Sequence, residues 1–119
     1  MKHAPTVYGI PNCDSVKKAR AWMDAQGIAY TFHDFKKQGI SDGALQSWMQ
    51  SVDWEILLNR KGTTWRKLDA SLQQSVKDAA SARAVMLAHV SVIKRPVVVV
   101  GSHVIVGVNP ELWQDVLAG

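Results

Sequence analysis

A single cysteine, Cys13, stands among 119 residues, so no disulfide can close within the chain. No apolar run approaches the ~20 residues that a membrane-spanning helix needs. The opening segment Met1-Lys-His-Ala-Pro-Thr6 lacks the long apolar stretch of a secretory signal and leads straight into a strand-like run. Together these absences predict a cytoplasmic protein in a reducing compartment, with no membrane partner. The four histidines, His3, His33, His89 and His103, never fall at metal-ligand spacing, and one cysteine cannot support a zinc motif. No metal site and no tightly bound cofactor are therefore expected. Repeats, low-complexity tracts and linkers are also missing, which leaves one domain over residues 1–119.

Acidic residues are the minority, 10 against 14 lysines and arginines, for a formal charge of +4 and a pI near 9.4. That balance favours an anionic partner. Apart from the pairs Lys17-Lys18 and Lys36-Lys37 the basic residues are scattered. A solvated surface or a small anion fits this better than nucleic acid, which would need a clustered basic face. Nothing calls for more than a monomer.

What is present is a globular content of apolar residues, 47%, arranged with clear periods. Thr6 to Ile10 reads as a strand broken by Pro11-Asn12. Asp14 to Gln26 reads as a helix with Val16, Ala19 and Met23 on one face and Gly27 as its stop. Ile28 to Asp34 alternates like a second strand. A strand, helix, strand order makes the two strands parallel.

A helical middle follows at about residues 41–90. Ser41 can cap a helix bearing Leu45, Trp48, Met49 and Val52. Asp53 can cap a short one bearing Ile56, Leu57 and Leu58. Arg60 to Trp65 reads as a loop, and Leu68 to Val90 as two helices divided near Ser81. Trp22, Trp48, Trp54 and Trp113 read as core. Trp65, in the loop, could instead border a groove.

The last third holds Pro96 to Val100, a Gly101-Ser102 turn, and His103 to Val106, a β-hairpin. Asn109-Pro110-Glu111 then starts a helix carrying Leu112, Trp113, Val116 and Leu117. The sum is α/β: a βαβ…ββα chain with a mixed four-stranded sheet and a helical insertion between its halves. That is a thioredoxin-like arrangement.

Cys13 falls where the first strand gives way to the first helix. A sulfur there faces unpaired N–H groups and the positive end of the helix dipole. Both favour thiolate, the reactive form. Arg95-Pro96 opens the hairpin. By analogy with thioredoxin-like folds, that proline is cis and lies beside the reactive cysteine. Arg95 would then stand near Cys13 although 82 positions separate them, where its guanidinium could depress the thiol pKa and clamp an anion. Lys17, one turn into the helix, and Arg60, opening its polar loop, are further candidates. Asp14 opposes the thiolate by charge but suits the first turn of the helix.

The runs Tyr8-Gly-Ile-Pro-Asn-Cys13-Asp-Ser-Val-Lys-Lys-Ala-Arg20, Leu57-Leu58-Asn-Arg60-Lys-Gly-Thr-Thr-Trp65 and Ile93-Lys-Arg95-Pro96-Val-Val resemble the arsenate reductase-related family. That family comprises glutathione-coupled arsenate reductases, Spx-type regulators and YffB-like proteins. The resemblance spans nearly the whole chain and is nearest to the YffB-like branch. It implies a nucleophilic Cys13 supported by Arg60 and Arg95. Glutathione, as co-substrate, would lie among Asn12, Lys17, Arg60, Arg95 and Pro96.

The departures narrow the function. The glutathione-coupled arsenate reductases carry a histidine four residues before the cysteine and an arginine four after it, where this chain has Gly9 and Lys17. Their third arginine, after the last hairpin, has no counterpart in Val106-Gly-Val-Asn-Pro110. Arsenate reduction is thus the less expected activity. The Spx-type regulators usually carry a Cys-x-x-Cys switch, and Val16 rules that out here. Monothiol chemistry remains: Cys13 forms a mixed disulfide that an external thiol resolves. The alternative from another class is a non-enzymatic module that binds a partner such as RNA polymerase.

Overall fold

The computed structural model describes residues 4–118. In order it contains β1 (Thr6–Gly9), α1 (Asp14–Ala25), β2 (Thr31–Asp34), α2 (Phe35–Gln38), α3 (Asp42–Ser51), α4 (Trp54–Leu57), α5 (Thr63–Arg66), α6 (Ala70–Ser75), α7 (Ala79–Ala88), a 3-10 turn (Val90–Val92), β3 (Val97–Val100), β4 (His103–Val106) and α8 (Pro110–Ala118). The chain divides into two compact units, Met1–Gln38 with Arg95–Gly119, and Gly39–Lys94.

The first unit holds one sheet in the order β2-β1-β3-β4. β1 runs parallel to β2, while the β1–β3 and β3–β4 pairs are antiparallel. This is the mixed four-stranded sheet of a thioredoxin-like fold. Side chains alternate across a strand, so register decides which ones share a face. Phe32, Val7, Val98 and Ile105 form one row across the four strands. All four pack in a cluster with Ala19 and Met23 of α1 and Trp113 of α8. Both long helices of this unit therefore cover the same face.

Helix α1 forms as its spacing dictates: Val16, Ala19 and Met23 are fully buried. Burial of a valine or methionine side chain contributes about 1.5–3 kcal/mol. Gly27, at φ 67°, ends the helix in a conformation that only glycine adopts cheaply. Arg20 ties the helix to the edge strand. Its Nε donates to the Tyr30 hydroxyl at 3.1 Å, and its guanidinium lies 4.2 Å from the centre of the Phe32 ring.

Strand β2 is shorter than the alternation from Ile28 predicts. The ladder starts only at Thr31, whose N–H donates to the Pro5 carbonyl at 3.0 Å. Ile28 and Tyr30 still pack against the core cluster without being paired strand. Asp34 closes the strand by accepting from the Lys36 and Lys37 N–H groups at 3.1 and 3.2 Å. This cap starts α2, which the sequence reading does not anticipate.

The second unit contains α3 to α7. Ser41 caps α3, accepting from the Ala44 N–H at 3.1 Å, and Asp53 caps α4, accepting from the Glu55 N–H at 3.0 Å. Ile56 is exposed rather than core, while Leu57 and Leu58 are buried. The division between α6 and α7 lies before Ser81, not at it. Asp78 is the N-cap, and Ser81 takes the third helical position of a reciprocal capping box. The Ser81 side chain and N–H bonds hold the Asp78 carboxyl below its usual range. The segment Arg60 to Trp65 is not all loop either, since Thr63 begins α5. An antiparallel bridge joins Leu58 to Ile93. It is flanked by the Asn59 N–H bonded to the Val92 carbonyl at 2.8 Å and the Lys94 N–H bonded to the Leu57 carbonyl at 2.7 Å. Among the described residues no helix is long and apolar enough to cross a membrane.

Candidate active site around Cys13

Cys13 is the N-cap residue of α1, with extended backbone angles of φ −97° and ψ 127°. Its N–H donates to the Ile10 carbonyl at 3.2 Å, and its carbonyl accepts from the Lys17 N–H at 2.9 Å. The turn between β1 and α1 thus fixes its backbone on both sides. The side chain is half-buried. It makes no capping bond of strict geometry, yet the Val16 and Ser15 N–H groups and the Arg95 side chain all bear on the sulfur. Hydrogen bonds to an ionised acceptor are stronger than neutral ones, so these contacts count in its charge balance.

That balance has opposing parts. Burial is the largest single influence and resists ionisation. The Val16 N–H, the Arg95 side-chain bond, the Ser15 N–H and the Arg95 charge together outweigh it, and the thiol is held below its ordinary range.

Sheet register explains how Arg95 arrives there. Tyr8 of β1 pairs with Val97 of β3. Continued in the same antiparallel sense, that pairing carries Pro96 and Arg95 to the end of β1, just before the Cys13 turn. The Arg95-Pro96 peptide is cis, as the thioredoxin-like analogy predicts. Pro96 is buried, and its carbonyl accepts from the Gly107 N–H at 2.8 Å. The Arg95 Nε is shielded from solvent. On the neighbouring strands the Tyr8 and His33 rings pack 4.9 Å apart, and burial pushes the Tyr8 hydroxyl up.

The structure therefore brings together Cys13, Arg95 and Pro96. Asn12 is exposed in the turn beside Cys13, and Lys17, also exposed, meets Cys13 through the backbone. Arg60 belongs to the second unit. Its guanidinium lies 5.1 Å over the Trp54 ring. It borders a cleft of about 300 Å³ with Ile56, Leu58, Lys61 and Lys94. Trp65 is half-buried in α5, and its carbonyl accepts from the Gln73 side chain at 2.7 Å. Among the described residues no cluster of three or more His, Cys, Asp or Glu could hold a metal ion. His3 lies outside the described residues.

Sequence reasoning anticipated the helix-start N–H groups at the sulfur and missed one contributor, Gly9. The structure identifies those groups as the Ser15 and Val16 N–H groups. Gly9 carries no signal in the sequence. A Cβ built there would stand 2.5 Å from Val16 Cγ2, a close approach that only the fold reveals.

Comparison with known proteins shows the family of the chain. Residues 8–116 match the family model described as the ArsC family. An uncharacterised protein of Haemophilus influenzae is 34% identical over 113 residues, covering 95% of this chain and 98% of its own. The solved structure of a protein named YffB is similar at 43% identity and a TM-score of 0.89, covering 95% of this chain and 98% of that one. The solution structure of an arsenate reductase (ArsC) related protein from Brucella melitensis is similar at 48% identity and a TM-score of 0.73, covering 94% of this chain and 92% of that one. This chain belongs to the ArsC family.

Proposed function

We propose that the protein is a monothiol oxidoreductase of the reducing cytoplasm that uses glutathione as its co-substrate. The observation that carries this reading is the convergence of helix-start N–H groups and the Arg95 side chain on the half-buried Cys13 sulfur. Such an environment is what activates a thiol near neutral pH.

In the first step the Cys13 thiolate attacks one sulfur of a disulfide substrate. A sulfur–sulfur bond forms at Cys13 as the substrate bond breaks, and the departing thiolate takes a proton from water. In the second step a glutathione thiolate attacks the mixed disulfide and frees Cys13. When the first adduct is with glutathione, the products are the reduced substrate thiol and oxidised glutathione. One glutathione thiol is consumed, and the other half of the oxidised glutathione comes from the substrate's own mixed disulfide.

Arg95 stabilises the thiolate, both before attack and when it departs again. Asn12, Lys17 and Pro96 complete the proposed glutathione site. The peptide's carboxylates suit cationic partners, and an exposed turn at Asn12 leaves the sulfur approachable. Val16 occupies the position where a resolving cysteine would have to stand, so resolution falls to a thiol from outside.

The test is mass spectrometry of the intact protein after exposure to oxidised glutathione. One adduct on Cys13, removed by reduced glutathione, is expected. A Cys13 that stays unmodified and titrates at or above the free-thiol value of ~8.5 would overturn the proposal.

A further inference from the structure

We propose that Gly9 and Val16 form a positioning lock: the bare backbone at Gly9 admits the Val16 isopropyl group, and that fit fixes the first turn of α1 so that its N–H groups face Cys13. The inference rests on the reading of Cys13 as the nucleophile. It makes Val16 a positioning residue, acting through the sulfur and not on substrate.

A Cβ at position 9 would lie 2.5 Å from Val16 Cγ2 and 3.2 Å from Cγ1. The first distance is closer than real side chains approach one another. Val16 is fully buried, and its β-branch leaves one strongly preferred rotamer in a helix, so it cannot swing aside. The backbones on both sides are anchored. Gly9 pairs with Asp34 in the β1–β2 ladder, and α1 is held by Ala19 and Met23 in the core cluster. The contact is therefore a stop against which the helix start is set.

Val16 is also the third helical residue, one of the first four whose N–H groups lack an intrahelical partner. That N–H is directed at the Cys13 sulfur. One residue thus carries both the wedge and the donor, and a shift of the wedge shifts the donor with it. A side chain at position 9 and a valine at position 16 exclude each other.

Four variants test this: Gly9→Ala, Val16→Ala, the Gly9→Ala/Val16→Ala double variant and Val16→Thr. For each, the rate of Cys13 alkylation by iodoacetamide is followed against pH, with a thermal melt alongside. Gly9→Ala should move the rise in rate to higher pH and slow alkylation about three- to tenfold at about pH 6. Val16→Ala should move it the same way. The double variant should return toward the wild type, because the Val16 Cβ lies 3.4 Å from the Cβ built at position 9, an ordinary contact for two methyl groups. Val16→Thr keeps the branched shape and should keep the profile, although its buried hydroxyl lowers the melting temperature.

Single alanine variants that melt lower yet retain the wild-type profile would overturn the lock. So would a double variant whose shift is the sum of the two single shifts. If Gly9→Ala does not fold, the contrast between Val16→Ala and Val16→Thr decides alone. A wild-type profile like that of a free thiol would instead overturn the reading of Cys13 itself.

Discussion

Tyr8 stands opposite Val97 in the antiparallel β1–β3 ladder, and this pairing delivers Arg95 to the end of β1. A residue 82 positions from the cysteine thereby acts on its sulfur. Arg95→Ala should raise the thiol pKa and slow alkylation about tenfold below neutral pH, the change that one unit of pKa produces. Arg95→Lys should recover part of this, since it keeps the charge but loses the planar fork. Alkylation profiles of both variants check the claim. Superimposed wild-type and Arg95→Ala curves would remove Arg95 from the site.

The same depressed thiol makes stability depend on pH. The folded-state value lies below the ordinary one, so the thiolate's contribution is complete above the unfolded thiol's range. It is lost as pH falls through the folded value. Compared with Cys13→Ser, the wild type should gain melting temperature as pH rises from below the folded thiol's value toward the free-thiol value of ~8.5. A melting-temperature difference that stays constant as pH rises toward the free-thiol value would contradict the shift.

Val16 lies three residues beyond the thiol, directly after its helix start. Val16→Cys should change the product of oxidation. With oxidised glutathione the variant should lose the mixed disulfide to an internal bond between Cys13 and the introduced thiol, seen as release of the adduct in the intact mass. A stable adduct on the variant would mean that position 16 cannot reach the sulfur.

Arg60 is exposed and stacked on Trp54. At exposed sites such stacking contributes about 0.5–1 kcal/mol, so Arg60→Ala should barely move the melting temperature. A thermal melt of the variant beside the wild type checks this. A loss of several degrees would contradict it.

Much of the fold was legible because long elements declare a period. Val16, Ala19 and Met23 announce α1, and Asn109-Pro110 announces α8, where the Asn109 side chain accepts from the Leu112 N–H at 3.2 Å. Helices of a single turn have no period to show, so α2 and α5 were missed, and α4 was legible only through its Asp53 cap. Where two capping residues stand three apart, as Asp78 and Ser81 do, sequence alone cannot say which is the cap. The structure gives that place to the carboxylate, with the hydroxyl bonding back to the Asp78 N–H. At the site, residue types pointed to Cys13 and Arg95. The contact between Gly9 and Val16 was invisible because exclusion between two side chains depends on distance.

Strand β4 has a consequence for colloidal behaviour. It is the outermost strand on its side of the sheet and is only four residues long. Gly101 and Gly107, both at positive φ, flank it. So short a rim offers little backbone for a neighbouring molecule to polymerise upon. The valine-rich stretch that begins at Val97 would template cross-β growth readily if it came loose as an extended segment. Native solutions should therefore resist fibril formation, and seeding should appear only under conditions that peel this hairpin away.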